Sequence, residues 1–229
     1  EAPENTLGGF QYIHDLGIRA VEFDVRQLKD HELIIMHDDN MLRTTGIDQA
    51  LYPLSSTQLD SYNQAHIWLD WEKQSTPTLR QALQIMQDFE HLEVEVKAVE
   101  TQAEAERLTQ HLTQQLRGFE HSAVITSFDL KILQALQDQH STFKRGLLIE
   151  DDIQHLAIEQ ALKYDCCQIG WMNQLATDDL LKATQQANLA ISVWTVNDIE
   201  RAKHLRDCGI DGLITDFPKM MLQHLTDIH

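Results

Sequence analysis

The chain has 229 residues, 42% hydrophobic and 24% charged, with only 9 Gly and 4 Pro, so it can bury a real core and fits no disordered, collagenous or repeat class. Thirty-six acidic residues against 18 basic ones give a formal net charge of -18. That field repels phosphate and argues against non-specific nucleic-acid binding, membrane insertion or docking on anionic lipid. The three cysteines, two of them the adjacent Cys166 and Cys167, show no CxxC or Cys/His zinc spacing, and this usage points to a reducing, cytoplasmic setting. No run approaches the roughly 18 apolar residues of a membrane span. The chain opens at Glu1 rather than Met, so a leader could have been lost with the natural start.

Short β-branched runs alternate with longer amphipathic stretches, and no linker or low-complexity segment marks a second domain, which predicts a single parallel α/β domain over 1–229. Thr6 to Leu16 reads as a helix capped by Asn5 or Thr6 and closed by Gly17. Ala20 to Arg26 is a strand, and after the turn Lys29-Asp30-His31 a second short strand, Leu33 to Met36, makes a hairpin. Residues 40–78 read as an inserted subdomain with a short helix, in which Ser55 to Gln58 forms a capping box flanked by Leu54 and Leu59 as a hydrophobic staple.

The helix Thr78 to Phe89 then feeds the strand Leu92 to Ala98, and the helix Thr101 to Leu116 feeds Ala123 to Ser127. Further helices are expected over Leu130 to Gln139, Ile153 to Lys163, Asp178 to Ala187 and Ile199 to Cys208. They alternate with strands Lys144 to Ile149, Cys167 to Gly170, Ala190 to Val196 and Gly212 to Asp216. Without the hairpin strand this gives seven parallel strands, and a (β/α)8 TIM barrel needs eight, so the first is expected upstream of Glu1. An open doubly wound sheet is the alternative, but no Gly-rich GxGxxG or GxxxxGK turn supports it.

Side chains two apart on a strand share a face, so Glu22 and Asp24 project together while Val21, Phe23 and Val25 pack the other way. Two inward carboxylates are costly unless compensated, and a hard divalent cation is the obvious compensation; the bland reading is a solvated edge strand. The pattern recurs in Val94-Glu95-Val96-Lys97, where Glu95 can complete a three-carboxylate site and Lys97 can face a substrate phosphate. His37 follows the hairpin strand and can act as general acid or base. Trp194, near the end of its strand, is a candidate substrate wall, Trp171 a weaker one, and Asp216 is read as a turn group.

Taken in order, Ala2-Pro3-Glu4-Asn5-Thr6, Glu22-Phe23-Asp24-Val25, His37-Asp38 with Leu42-Arg43-Thr44, and Glu95-Val96-Lys97 resemble the glycerophosphodiester phosphodiesterase family. Ile125-Thr126-Ser127-Phe128, Val193-Trp194-Thr195-Val196-Asn197 and Asp211-Gly212-Leu213-Ile214-Thr215-Asp216 extend the resemblance over nearly the whole chain. It implies a TIM barrel with an inserted subdomain, hydrolysing small-molecule glycerophosphodiesters to sn-glycerol 3-phosphate and an alcohol with Mg2+ or Ca2+. By the same resemblance Glu22, Asp24 and Glu95 are the metal ligands, His37 is one of two catalytic histidines, and Lys97 meets the phosphate. Two departures stand out. The family's His-Arg-Gly segment, with the other histidine, is absent from these residues, and Glu93 occupies a position where relatives commonly carry a neutral amide. The competing readings are a related phospholipase or sphingomyelinase D-type phosphodiesterase, and a catalytically silent glycerophosphate-binding homologue.

Overall fold

A computed structural model describes residues 1–225. In chain order its elements are α1 (Leu7–Asp15), β1 (Ala20–Gln27), β2 (Leu33–Ile35), α2 (Leu42–Thr45), α3 (Ser56–Leu59), α4 (Leu79–Ile85), β3 (His91–Val96), α5 (Gln102–Gln115) and β4 (Ala123–Ser127). They continue with α6 (Leu130–Asp138), β5 (Lys144–Ile149), α7 (Leu156–Lys163), β6 (Gln168–Met172), α8 (Asp178–Gln186), β7 (Ala190–Trp194), α9 (Ile199–Asp207), β8 (Gly212–Leu213) and α10 (Pro218–Leu225). The seven expected core strands and the hairpin strand β2 are all present. This mostly parallel alternation of strand and helix is consistent with a TIM-type barrel. By contact density the chain divides into two compact units, one of Ala2–Lys97 with Gln110–Ala123, the other of Glu1, Ala98–Thr109 and the chain from Val124 onward.

In the first unit, α1 begins where Thr6 caps it. The Thr6 hydroxyl accepts from the Gly9 amide at 3.0 Å and donates to the Pro3 carbonyl at 2.8 Å, which locks the preceding turn onto the helix. Gly9 is required there, because a Cβ would lie 2.3 Å from the Pro3 oxygen. β1 pairs antiparallel with β2 and parallel with β3, in a register that sets Asp24 opposite Glu95 and Glu22 opposite Glu93. Phe23, Val25, Leu92, Val94 and Val96 are buried, so apolar packing on both strands holds that register.

The segment after β2 has two short helices rather than one. Leu28, Ile34 and Met36 of the hairpin pack with Met41, Leu51, Leu54 and Leu59 into a small apolar cluster. Each fully buried Leu there contributes about 1.5–3 kcal/mol. The expected capping box is formed, with the Ser55 amide donating to Gln58 Oε1 at 2.9 Å and the staple pair Leu54 and Leu59 both buried. Helix α4 ends at Ile85, short of the expected Phe89. The Phe89 amide turns back to the Met86 carbonyl at 3.1 Å, and both side chains are thereby buried.

In the second unit β4 to β8 pair in sequence as parallel neighbours. Leu147, Ile149, Ile169, Ile191 and Val193 from the strands meet Leu133, Ala157, Leu181, Ala202 and Leu205 from the helices. Trp171 belongs to this core. It is fully buried and its indole N–H donates to Thr184 Oγ1 at 3.3 Å, so it is not a substrate wall. Helix α7 begins at Leu156 rather than Ile153, because Gln154 has a φ of +49° and helical geometry cannot run through it. β8 stops at Leu213 instead of Asp216. Asn197 Oδ1 accepts from the Thr215 hydroxyl and the Asp216 amide, both at 3.0 Å, and Asn197 Nδ2 donates to Asp216 at 2.7 Å, so a side chain replaces the ladder. Asp216 is therefore a turn group, as its position after the strand suggested.

Candidate active site

Glu22, Asp24 and Glu95 each offer one carboxylate oxygen, and the three atoms lie within 4.8 Å of one another. The β1–β3 register places them, since it brings Asp24 beside Glu95 and the two-residue period puts Glu22 on the same face as Asp24. Asp24 and Glu95 are only 4% and 7% exposed. Burial, with the negative charges of Asp24 and Glu95 beside it, raises the Glu22 carboxyl well above its ordinary range. Burial and Asp24 raise Glu95 as well, against the opposing pull of Lys97.

Lys97 stands among these acids, with Nζ 2.5 Å from Asp24 Oδ1 and in contact with Glu95 Oε1. Burial disfavours its charge, but Asp24 and Glu95 outweigh that and raise it. Asn5 holds the other side of Asp24. Its Nδ2 donates to Asp24 Oδ2 at 2.7 Å and its Oδ1 accepts from the Asp24 amide at 3.2 Å, which is possible because Asn5 adopts a φ of +53°.

These residues fit a divalent cation. Glu22 Oε1 is sealed from solvent and has no hydrogen-bond partner among the described residues, an arrangement that is costly for a carboxylate left alone. Fully ionised, three carboxylates and one ammonium leave two negative charges, which a divalent ion would cancel. An all-oxygen set with ligand atoms this close suits a hard cation.

His37 lies just beyond β2, its backbone carbonyl gripped by Arg26 through Nε at 3.1 Å and Nη2 at 2.6 Å. Its Nδ1 is 2.7 Å from Asp38 Oδ1, while the side chain is 54% exposed and therefore reachable. Desolvation pushes the Asp38 carboxyl up, but hydrogen bonds from Arg43 and His37 outweigh it and hold Asp38 below the usual carboxylate range. An ionised Asp38 can only accept, so Nδ1 carries the hydrogen and Nε2 is left to exchange a proton. Arg43 Nε donates to Asp38 Oδ2 at 2.6 Å, and its two terminal nitrogens hold Glu4 at 2.7 and 2.5 Å. His37, Asp38, Arg43 and Glu4 thus form one continuous chain.

From the sequence Glu4, Asp38 and Arg43 stand within the family motifs without a task of their own, and Asn5 reads only as a candidate helix cap. Their usable signal was an Asn in the turn ahead of a helix cap and a His-Asp pair followed by an Arg on the same short segment. Glu93, the unexplained acid, is 3% exposed and lies 3.4 Å from His91 Nε2. Trp194 belongs to the other unit. It is half-buried at the end of β7, its Nε1 donating to the Gly170 carbonyl at 3.2 Å and its ring edge-to-face with Phe128 at 5.4 Å.

The comparisons with known proteins agree with this architecture. The sequence profile of the glycerophosphoryl diester phosphodiesterase family matches residues 1–220. A glycerophosphodiester phosphodiesterase of Caldanaerobacter subterraneus subsp. tengcongensis is 23% identical over 224 residues, covering 96% of this chain and 91% of that protein. Among solved structures, an Oleispira antarctica phosphodiesterase in complex with the product sn-glycerol-3-phosphate superposes with a TM-score of 0.85 at 22% identity, covering 98% of this chain and 92% of that one. The Thermotoga maritima glycerophosphodiester phosphodiesterase gives 0.77 at 23% identity, covering 97% and 92%. On the profile match across nearly its whole length, the chain belongs to the glycerophosphoryl diester phosphodiesterase family.

Proposed function

We propose that this protein hydrolyses glycerophosphodiesters to sn-glycerol 3-phosphate and an alcohol, using a divalent cation, Mg2+ or Ca2+, held by Glu22, Asp24 and Glu95. The observation that carries the reading is the convergence of those three carboxylates within 4.8 Å, with Glu22 Oε1 buried and unpartnered beside Lys97. The relatives named above, and the product held in the Oleispira antarctica structure, support the substrate class.

A phosphodiester is a monoanion, which bare carboxylates would repel. When bound, the cation supplies charge neutralisation and polarises the phosphoryl oxygens. Lys97, now paired to Asp24 and Glu95, turns its ammonium toward the phosphate. Asn5 keeps Asp24 in place through both of its amide atoms. His37 moves a proton at Nε2, to or from the reacting oxygen, while Asp38 fixes the tautomer and Arg43 keeps Asp38 ionised. Trp194 is assigned to the substrate wall on its half-buried position at the end of β7.

Among the described residues no helix is long and apolar enough to cross a membrane. A reducing, cytoplasmic setting is part of the same proposal, supported by Cys166, Cys167 and Cys208 all being free thiols. The deciding experiment follows release of glycerol 3-phosphate from glycerophosphocholine by the full-length protein. EDTA is expected to abolish it and added Mg2+ or Ca2+ to restore it, whereas undiminished activity in EDTA would remove the metal from the mechanism. Faster turnover of an intact lipid than of the deacylated diester would favour the phospholipase alternative.

A further inference from the structure

A second group of metal-ligating side chains belongs wholly to the other unit. Asp178 is the first residue of α8, and His204 and Cys208 stand four apart at the C-terminal end of α9, where an α-helix puts both on one face. His204 Nε2 is 2.8 Å from Asp178 Oδ1, and Cys208 Sγ is 3.6 Å from that nitrogen and 3.9 Å from that oxygen. All three ligand atoms thus lie within 4.8 Å of one another.

We propose that Asp178, His204 and Cys208 form a surface binding site for a borderline-soft transition-metal cation, with Zn2+ its principal ligand, that clips α8 to α9. A tetrahedral zinc with bonds of about 2.0–2.1 Å to nitrogen and oxygen and 2.3 Å to sulfur spaces its ligands roughly 3.3–3.6 Å apart. The sulfur–nitrogen separation already matches that spacing. The carboxylate needs only a small rotation, away from the imidazole and toward the thiol, to meet it as well.

The donor chemistry separates this site from the buried acids. Imidazole with thiolate selects zinc and its neighbours, whereas carboxylates alone select magnesium and calcium. The nearby cation does not compete for the position. The Arg201 guanidinium is committed to Asn173, through Oδ1 at 2.9 Å and the backbone carbonyl at 3.3 Å, and to the Ala176 carbonyl at 2.7 Å. Asp178 and His204 are exposed and Cys208 half-buried, so an ion enters without any opening of the fold, and three protein ligands leave a fourth position to water. Binding releases the Cys208 thiol proton to solvent as the sulfur–metal bond forms. The strongly negative net charge favours accumulation of any cation at the surface.

The test uses the full chain, stripped with chelator, and follows iodoacetamide alkylation of each cysteine by peptide mass spectrometry with and without equimolar Zn2+. Zinc should slow alkylation of Cys208 at least about tenfold, since its thiolate is withdrawn from reaction, with Cys167 unchanged as the internal control. Co2+ in place of Zn2+ should give a thiolate charge-transfer band, which the all-oxygen cluster cannot produce. Both signals should disappear in His204→Ala and weaken in Asp178→Ala, variants at exposed positions whose folding is checked by circular dichroism. An unchanged Cys208 rate in zinc, or protection that survives His204→Ala, would overturn the proposal. None of these readouts depends on phosphodiesterase activity.

Discussion

The two groups of ligating side chains, Glu22/Asp24/Glu95 on β1 and β3 and Asp178/His204/Cys208 on α8 and α9, differ in how the fold tolerates them. In the first, like charges are buried together and Glu22 Oε1 has no hydrogen-bond partner among the described residues, so the site is electrostatically frustrated until a cation arrives. In the second, an acid, an imidazole and a thiol lie within hydrogen-bonding reach of one another at a solvent-accessible surface, so water can solvate them before an ion binds. Frustration of this kind marks a site shaped for its ligand, because the β1–β3 register, held by the buried Phe23, Val25, Val94 and Val96 on the other face, keeps the carboxylates side by side.

Substitutions can break this contrast or sharpen it. His37→Ala should lower turnover at least about a hundredfold, the usual scale for a lost general acid or base, and a change under about threefold would reject the role. Asp38→Asn keeps the shape but removes the charge that orients the imidazole, and kcat should fall roughly ten- to a hundredfold, the range for partners that position a working histidine. Glu22→Gln should divide two properties in opposite directions. Metal-dependent activity falls, while the melting temperature of the metal-free protein rises by roughly 2–4 °C, the shift that about 1 kcal/mol produces in a chain of this size. A lower melting temperature on that substitution would show that Glu22 is not the seat of the repulsion. Asp178→Asn, at the exposed group, should leave turnover within about twofold and the melting temperature essentially unmoved, as expected for a solvated pair.

How much could be read from the sequence differs between the same two groups. The alternation in Val21-Glu22-Phe23-Asp24-Val25 and in Val94-Glu95-Val96-Lys97 declared a shared charged face, because a strand's period of two is local, but whether that face was solvated or buried depended on the fold. His37 was legible from its place after the hairpin strand, but its partner chain through Asp38 and Arg43 to Glu4 was not, since Arg43 and Glu4 are 39 residues apart. Asp178 and Cys208 are separated by 30 residues, and no recognised zinc spacing joins them. Trp194 and, more weakly, Trp171 were both wall candidates as aromatics near strand ends, yet Trp171 is fully buried core and Trp194 half-buried.

By itself the sequence determined the alternating α/β plan, the capping box at Ser55 and the chemical character of each strand face, because these follow from residue periods and short-range hydrogen bonds. Tertiary structure alone decided that Asp24 lies opposite Glu95, that Asn5 in its left-handed conformation clamps Asp24, and that Asp178 meets α9. Those distances come from strand register and helix docking, which are set by the summed burial of many apolar side chains rather than by any residue at the site.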